Sequence, residues 1–144
     1  PASHLLWNHD MSASNFTWSD WVETTGGTPL PTNIKTWSGS TKLCLSCHDG
    51  VTTPTLIAAT DPHAIGNPAN SYGLQNDHPV NMNYDPLLDT GLDLAANVTT
   101  AGLKLFGVSN TVQCASCHNV HNNTNVPFLR KSNAGSALCL TCHL

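Results

Sequence analysis

Hydrophobic and polar positions along this chain rarely keep a period for long. Few segments sustain the 3.6-residue stripe of a helix or the alternation of a strand, and the elements that do emerge are short. Residues 41–50 read as a short helix that stops at Gly50. Residues 51–77 read as loop, interrupted by Pro54, Pro62 and Pro68 and by Gly66 and Gly73. Residues 81–110 look irregular, with a short helix expected near Pro86–Ala96 and a strand or turn near Leu103–Val108. Ser132-Asn133 are positioned to cap a helix through Gly135–His143. The first 40 residues form an aromatic arm that holds all four tryptophans (Trp7, Trp18, Trp21 and Trp37) with Phe16 beside them. The expected fold is therefore mostly irregular, with few short α-helices.

Such a pattern builds a poor core unaided. At 144 residues the chain is expected to form one domain, residues 1–144, with the arm 1–40 as a possible subunit junction. Apolar residues make up 40% and charged residues only 10%, alongside 10 glycines and 9 prolines. The missing apolar interior has to come from something other than side chains. The formal charge is −4, with five basic residues of which only Arg130-Lys131 adjoin, so a nucleic-acid partner is not expected. No apolar run reaches the roughly 18 to 20 residues of a membrane helix. A surface this low in charge fits one covered by neighbouring copies.

The cysteines say what fills the interior. Cys44-Leu45-Ser46-Cys47-His48, Cys114-Ala115-Ser116-Cys117-His118 and Cys139-Leu140-Thr141-Cys142-His143 use all six cysteines. Cys-x-x-Cys-His is the attachment signature of c-type haem. Two thiols add across the two porphyrin vinyl groups, and the next residue, histidine, lies against the iron as its proximal ligand. Zinc sites also use Cys-x-x-Cys pairs, but do not call for histidine immediately afterwards three times out of three. A thioredoxin-like pair would need a single motif in a βαβ setting, and structural disulfides leave the histidines unexplained. Three haem c groups are the expected cofactors, held by Cys44, Cys47, Cys114, Cys117, Cys139 and Cys142, with His48, His118 and His143 on the irons.

Five histidines remain for three distal positions: His4, His9, His63, His78 and His121. Histidine on both faces saturates an iron and lowers its potential relative to a His/Met pair. Met11 and Met82 are read as packing or surface residues. His63, in a loop, reads as a solvated side chain. His78 precedes Pro79, which biases it toward an extended, projecting conformation. His121 follows His118 at i+3; on a helical turn both would share a face, so His121 is expected to reach the iron of a second haem. The tryptophans of the arm cover either the chain's own haems or a neighbour's. Three sequons, at Asn15, Asn97 and Asn122, read as chance in a chain rich in Asn and Thr. With five basic residues and a surplus of histidines, an enzyme acting on a small oxyanion is not expected.

Several segments together carry a resemblance: Leu6-Trp7-Asn8-His9, Ser40–Gly50, Asn76–Val80, Cys114–His121 and Leu129–Cys139. They resemble the multihaem cytochromes c described by doubled Cys-x-x-Cys-His motifs. The chain looks most like the tetrahaem outer-surface cytochromes of metal-reducing bacteria that polymerise into extracellular filaments. Those relatives carry a further motif ahead of the Leu-Trp-Asn-His segment, which this sequence lacks. The resemblance implies bis-histidine haems in close stacked pairs, with histidines able to cross between subunits. It implies His78 as distal ligand of the first haem, His121 as a bridge to another, and one of His9 and His4 as the third, His9 preferred. It also implies electron hopping between haems in a homopolymer, with extracellular donors or acceptors or other cytochromes as partners. A discrete periplasmic or surface shuttle is the alternative. Haem attachment takes place outside the cytoplasm, so export is expected, and a start at Pro1 rather than Met fits removal of an upstream segment; the resemblance implies an extracellular location.

Overall fold

The computed structural model describes residues 39–50, 52 and 77–144. They fall in two compact units: 39–50, 52, 77 and 78 in the first, and 79–144 in the second.

In the first unit, helix α1 spans Gly39–His48. It forms where the sequence predicts, and Gly50 takes a left-handed φ of 68° just beyond it, as a helix stop requires. Thr41, Leu45 and Ser46 form its buried side. Ser46 Oγ satisfies itself on Lys42 O at 2.8 Å. The fully buried Asp49 closes the next turn, its carboxylate accepting from Thr52 N at 2.8 Å and from Thr52 Oγ1 at 2.5 Å.

The second unit is held by very little regular structure. Strands β1 (Met82–Asn83) and β2 (Thr111–Val112) pair antiparallel, Met82 opposite Val112 and Asn83 opposite Thr111. A tight hairpin leads into β2: Phe106 and Thr111 exchange both backbone bonds, at 3.0 and 2.7 Å, around Gly107 and Asn110 at positive φ. This is the turn expected near Leu103–Val108. Helix α2 lies later than the sequence pattern suggests, at Ala95–Thr100. Pro86 does start a turn, with Asp85 Oδ1 accepting from Leu87 N, but Asp89 then captures Gly91 N at 2.9 Å and ends it. Helix formation resumes only where Asp93 Oδ1 takes Leu94 N at 2.7 Å and Asn97 Nδ2 at 2.8 Å.

The core of this unit is Tyr84, Val98, Leu103 and Val112, flanked by Met82, Leu92, Ala95, Leu105, Leu138 and Cys142. Met82 is thus a packing residue, as expected. The Tyr84 hydroxyl donates to Asp93 O at 2.7 Å and lies 3.2 Å from Cys142 O. Next to it, segment 91–93 pairs with 142–144: Asp93 N donates to Cys142 O at 2.8 Å and Leu144 N to Gly91 O at 2.9 Å. The predicted helix through Gly135–His143 is replaced by two 3-10 turns, Ala134–Ser136 and Cys139–Thr141. Gly135 and Ser136 take left-handed φ values of 59° and 61°, which no continuous helix allows. The described fold is mostly irregular, with few short helices and one two-stranded sheet.

Candidate haem-attachment site

Each Cys-x-x-Cys pair occupies about one helical turn, but the three turns are built differently. On α1, Cys44, Cys47 and His48 stand at i, i+3 and i+4, which places them on one face. The second pair makes up helix α3, Cys114–Cys117. A capping box starts it, with Gln113 N donating to Ser116 Oγ at 2.9 Å. The third pair sits on the 3-10 turn Cys139–Thr141 and its cap. In the last two, the histidine N–H closes back on the first cysteine: His118 N to Cys114 O at 3.1 Å, and His143 N to Cys139 O at 3.0 Å. The thiols are thus held one turn apart with the imidazole immediately beyond.

α3 ends at Cys117 because His118 turns extended, at φ −105° and ψ 145°. His118 and His121 therefore do not share a helical face; the chain reverses between them. Residues 117–119 run beside 128–130, with Asn119 N donating to Phe128 O at 2.7 Å and Arg130 N to Cys117 O at 2.8 Å. This brings Pro127 O within 3.0 Å of His118 Nδ1. A carbonyl only accepts, so Nδ1 carries the proton and Nε2 keeps its lone pair for a metal. That orientation is what a proximal haem ligand needs. Phe128, at φ 57°, is a bulky residue in the left-handed region. It is held there by Asn123 Oδ1, which accepts from Phe128 N at 2.9 Å.

The surroundings fit a porphyrin. Val120, Val126 and Phe128 are exposed near His118 in sequence, as are Leu140 and Leu144 on either side of His143. Exposed apolar groups flanking polar ligands are what a flat apolar cofactor covers. Among the described residues, no group of three or more His, Cys, Asp or Glu side chains converges to hold a bare ion. The Cys117 and Cys142 thiols are not tuned for thiolate chemistry. Burial, reinforced by Cys142 and Cys139 and opposed by Arg130, pushes the Cys117 thiol up to about 11. Burial raises that of Cys142 as well. Reactive redox cysteines are shifted the other way.

Of the predicted distal ligands, His121 is exposed on the reversing loop, its N–H 3.3 Å from Asn119 Oδ1, and His78 is exposed just ahead of the buried Pro79. His4, His9 and His63 lie outside the described residues, as does the aromatic arm apart from its last two positions. Four contributors escaped the sequence reading: the Pro127 carbonyl, Tyr84, Arg130 and Lys131. The adjacency of Arg130 and Lys131 was the only signal any of them gave.

The family model for the doubled CXXCH motif matches residues 107–144, the segment that carries the second and third motifs. No curated protein matches the chain. The motifs indicate covalently bound haem c, and the doubled motif supports a multihaem c-type cytochrome, a class that typically transfers electrons rather than catalysing a reaction. No helix among the described residues is long and apolar enough to cross a membrane.

Proposed function

We propose that the chain carries electrons by hopping through three covalently attached bis-histidine haems, as an exported subunit of an extracellular conductive filament. The observation that carries the haem reading is the use of all six cysteines in three Cys-x-x-Cys-His motifs. The Nδ1-protonated His118, aimed by Pro127 O, supports it independently. Haem, when attached, supplies an iron that passes between ferric and ferrous states by one electron. The chain's task is to hold the porphyrins near contact, orient the histidines and exclude water.

His48, His118 and His143 are the proximal ligands in this reading. His78, His121 and one of His9 and His4 are the distal ones, which leaves no open iron for a substrate. Support for the polymer comes from the resemblance of the sequence to filament-forming cytochromes and from a surface poor in charge. The test is electron microscopy of native, haem-loaded protein recovered from outside the cells, with haem number read from intact mass. Ordered filaments with three haems per chain are expected. Small monodisperse particles with three haems would replace the polymer with a discrete shuttle, and a mass without haem would overturn the whole reading.

A further inference from the structure

Two consecutive residues touch both attachment turns of the second unit. Arg130 serves the second: its N–H donates to Cys117 O and its Nε to Ala115 O, both at 2.8 Å. Both carbonyls lie in the α3 turn. The preceding residue, Leu129, bridges to His118. Lys131 reaches the other way, its Nζ donating to Thr141 Oγ1 at 2.9 Å. Thr141 is buried between Cys139 and Cys142, and its hydroxyl donates to Ala137 O at 2.8 Å. The hydroxyl proton is thereby committed, and its lone pairs face the ammonium. Lys131 is itself half-buried, so its charge is less screened than that of a surface lysine.

We propose that Arg130 and Lys131 are positioning residues that lock the second and third attachment turns into one geometry and, through the Lys131 charge, raise the potentials of the two haems they carry. The inference rests on the haem reading above. A fixed cation favours the ferrous state, which carries one positive charge fewer than the ferric. The bond to Thr141 holds that cation at the third turn, and the Arg130 bonds to the second turn fix the segment from which it extends. Electron exchange between the two haems then proceeds at one separation rather than over a spread of them.

The test compares Lys131→Gln, Lys131→Arg and Thr141→Val with the exposed Lys104→Gln as a charge control, all in the full haem-loaded chain. The readouts are midpoint potentials by spectroelectrochemistry and the haem–haem spin interaction by electron paramagnetic resonance. Lys131→Gln is expected to shift two midpoint potentials downward and to alter the spin interaction. Lys131→Arg should keep both at wild type, and Lys104→Gln should move neither. Wild-type potentials and spin interaction in a fully loaded Lys131→Gln protein, whatever its melting temperature, would overturn the proposal. If Lys131→Gln does not load haem, an unaltered spin interaction in Thr141→Val overturns it instead. Absence of covalent haem from the wild-type chain would remove the underlying reading, an outcome distinct from an inert Lys131.

Discussion

Tyr84 is the joint between the small core and the third attachment turn, and removing one atom tests it. In Tyr84→Phe the ring stays in its pocket with Val98, Leu103 and Val112, so no cavity forms. What is lost is the donation to Asp93 O at 2.7 Å and the contact at 3.2 Å with Cys142 O. Cys142 O keeps the Asp93 N–H at 2.8 Å, so the Asp93 carbonyl bears most of the loss. A buried acceptor deprived of its donor costs about 1–2 kcal/mol, which lowers the melting temperature by about 4–16 °C in a unit of this size. The phenol also predicts a pH dependence. Burial, with Asp93 adding, holds its proton well above the ordinary tyrosine value of 10.0 in the haem-loaded chain, where Cys142 is a thioether and carries no charge. In the native state the group therefore binds its proton more tightly than in the unfolded chain. Its contribution is complete below about pH 10 and is lost as pH rises through the native value. Thermal melts of haem-loaded wild type and Tyr84→Phe, followed at the Soret band from pH 7 to 11, check both points. The wild type should lose its advantage at the alkaline end. Melting temperatures that coincide throughout would refute the claim that Tyr84 ties the third turn to the core.

Ser116→Ala removes the side-chain acceptor of Gln113 N from a buried capping box and should cost about 1–2 kcal/mol in a denaturant titration. Gly135→Ala meets no atom within 4 Å, so its cost is conformational alone, about 1–2 kcal/mol; an unchanged midpoint would show that φ 59° is not kept in solution. His121→Ala or His78→Ala should convert one haem to high spin in the visible spectrum, and an unaltered spectrum would remove that residue from the ligand set. Asn123→Ala frees Phe128 N and should loosen Pro127 O from His118, seen as a shifted proximal imidazole resonance in the paramagnetic NMR spectrum.

Local signals in the sequence were legible where the residues that set them lie close together. α1 follows from an unbroken run ended by Gly50, and the strand or turn expected near Leu103–Val108 is found as the hairpin at 106–111, where Gly107 and Asn110 take positive φ. The second short helix was misplaced because Pro86 offers a valid start that Asp89 and Gly91 cancel within one turn. The last helix failed because Gly135, read as an interior residue, takes the left-handed conformation together with Ser136. The attachment motifs were legible because attachment depends on spacing alone. Their surroundings were not. Pro127 reaches His118 across a nine-residue separation, Tyr84 reaches Cys142 across 58, and neither pairing leaves a periodic trace.

The position of Cys142 against the core bears on the order of events during maturation. Its side chain packs against the core that holds Tyr84 while its carbonyl is bonded to Asp93, so an enzyme that joins it to a vinyl group has to find the chain open. Closing of the core is then a step that follows attachment, and a chain that closed early would block its own thioether at Cys142.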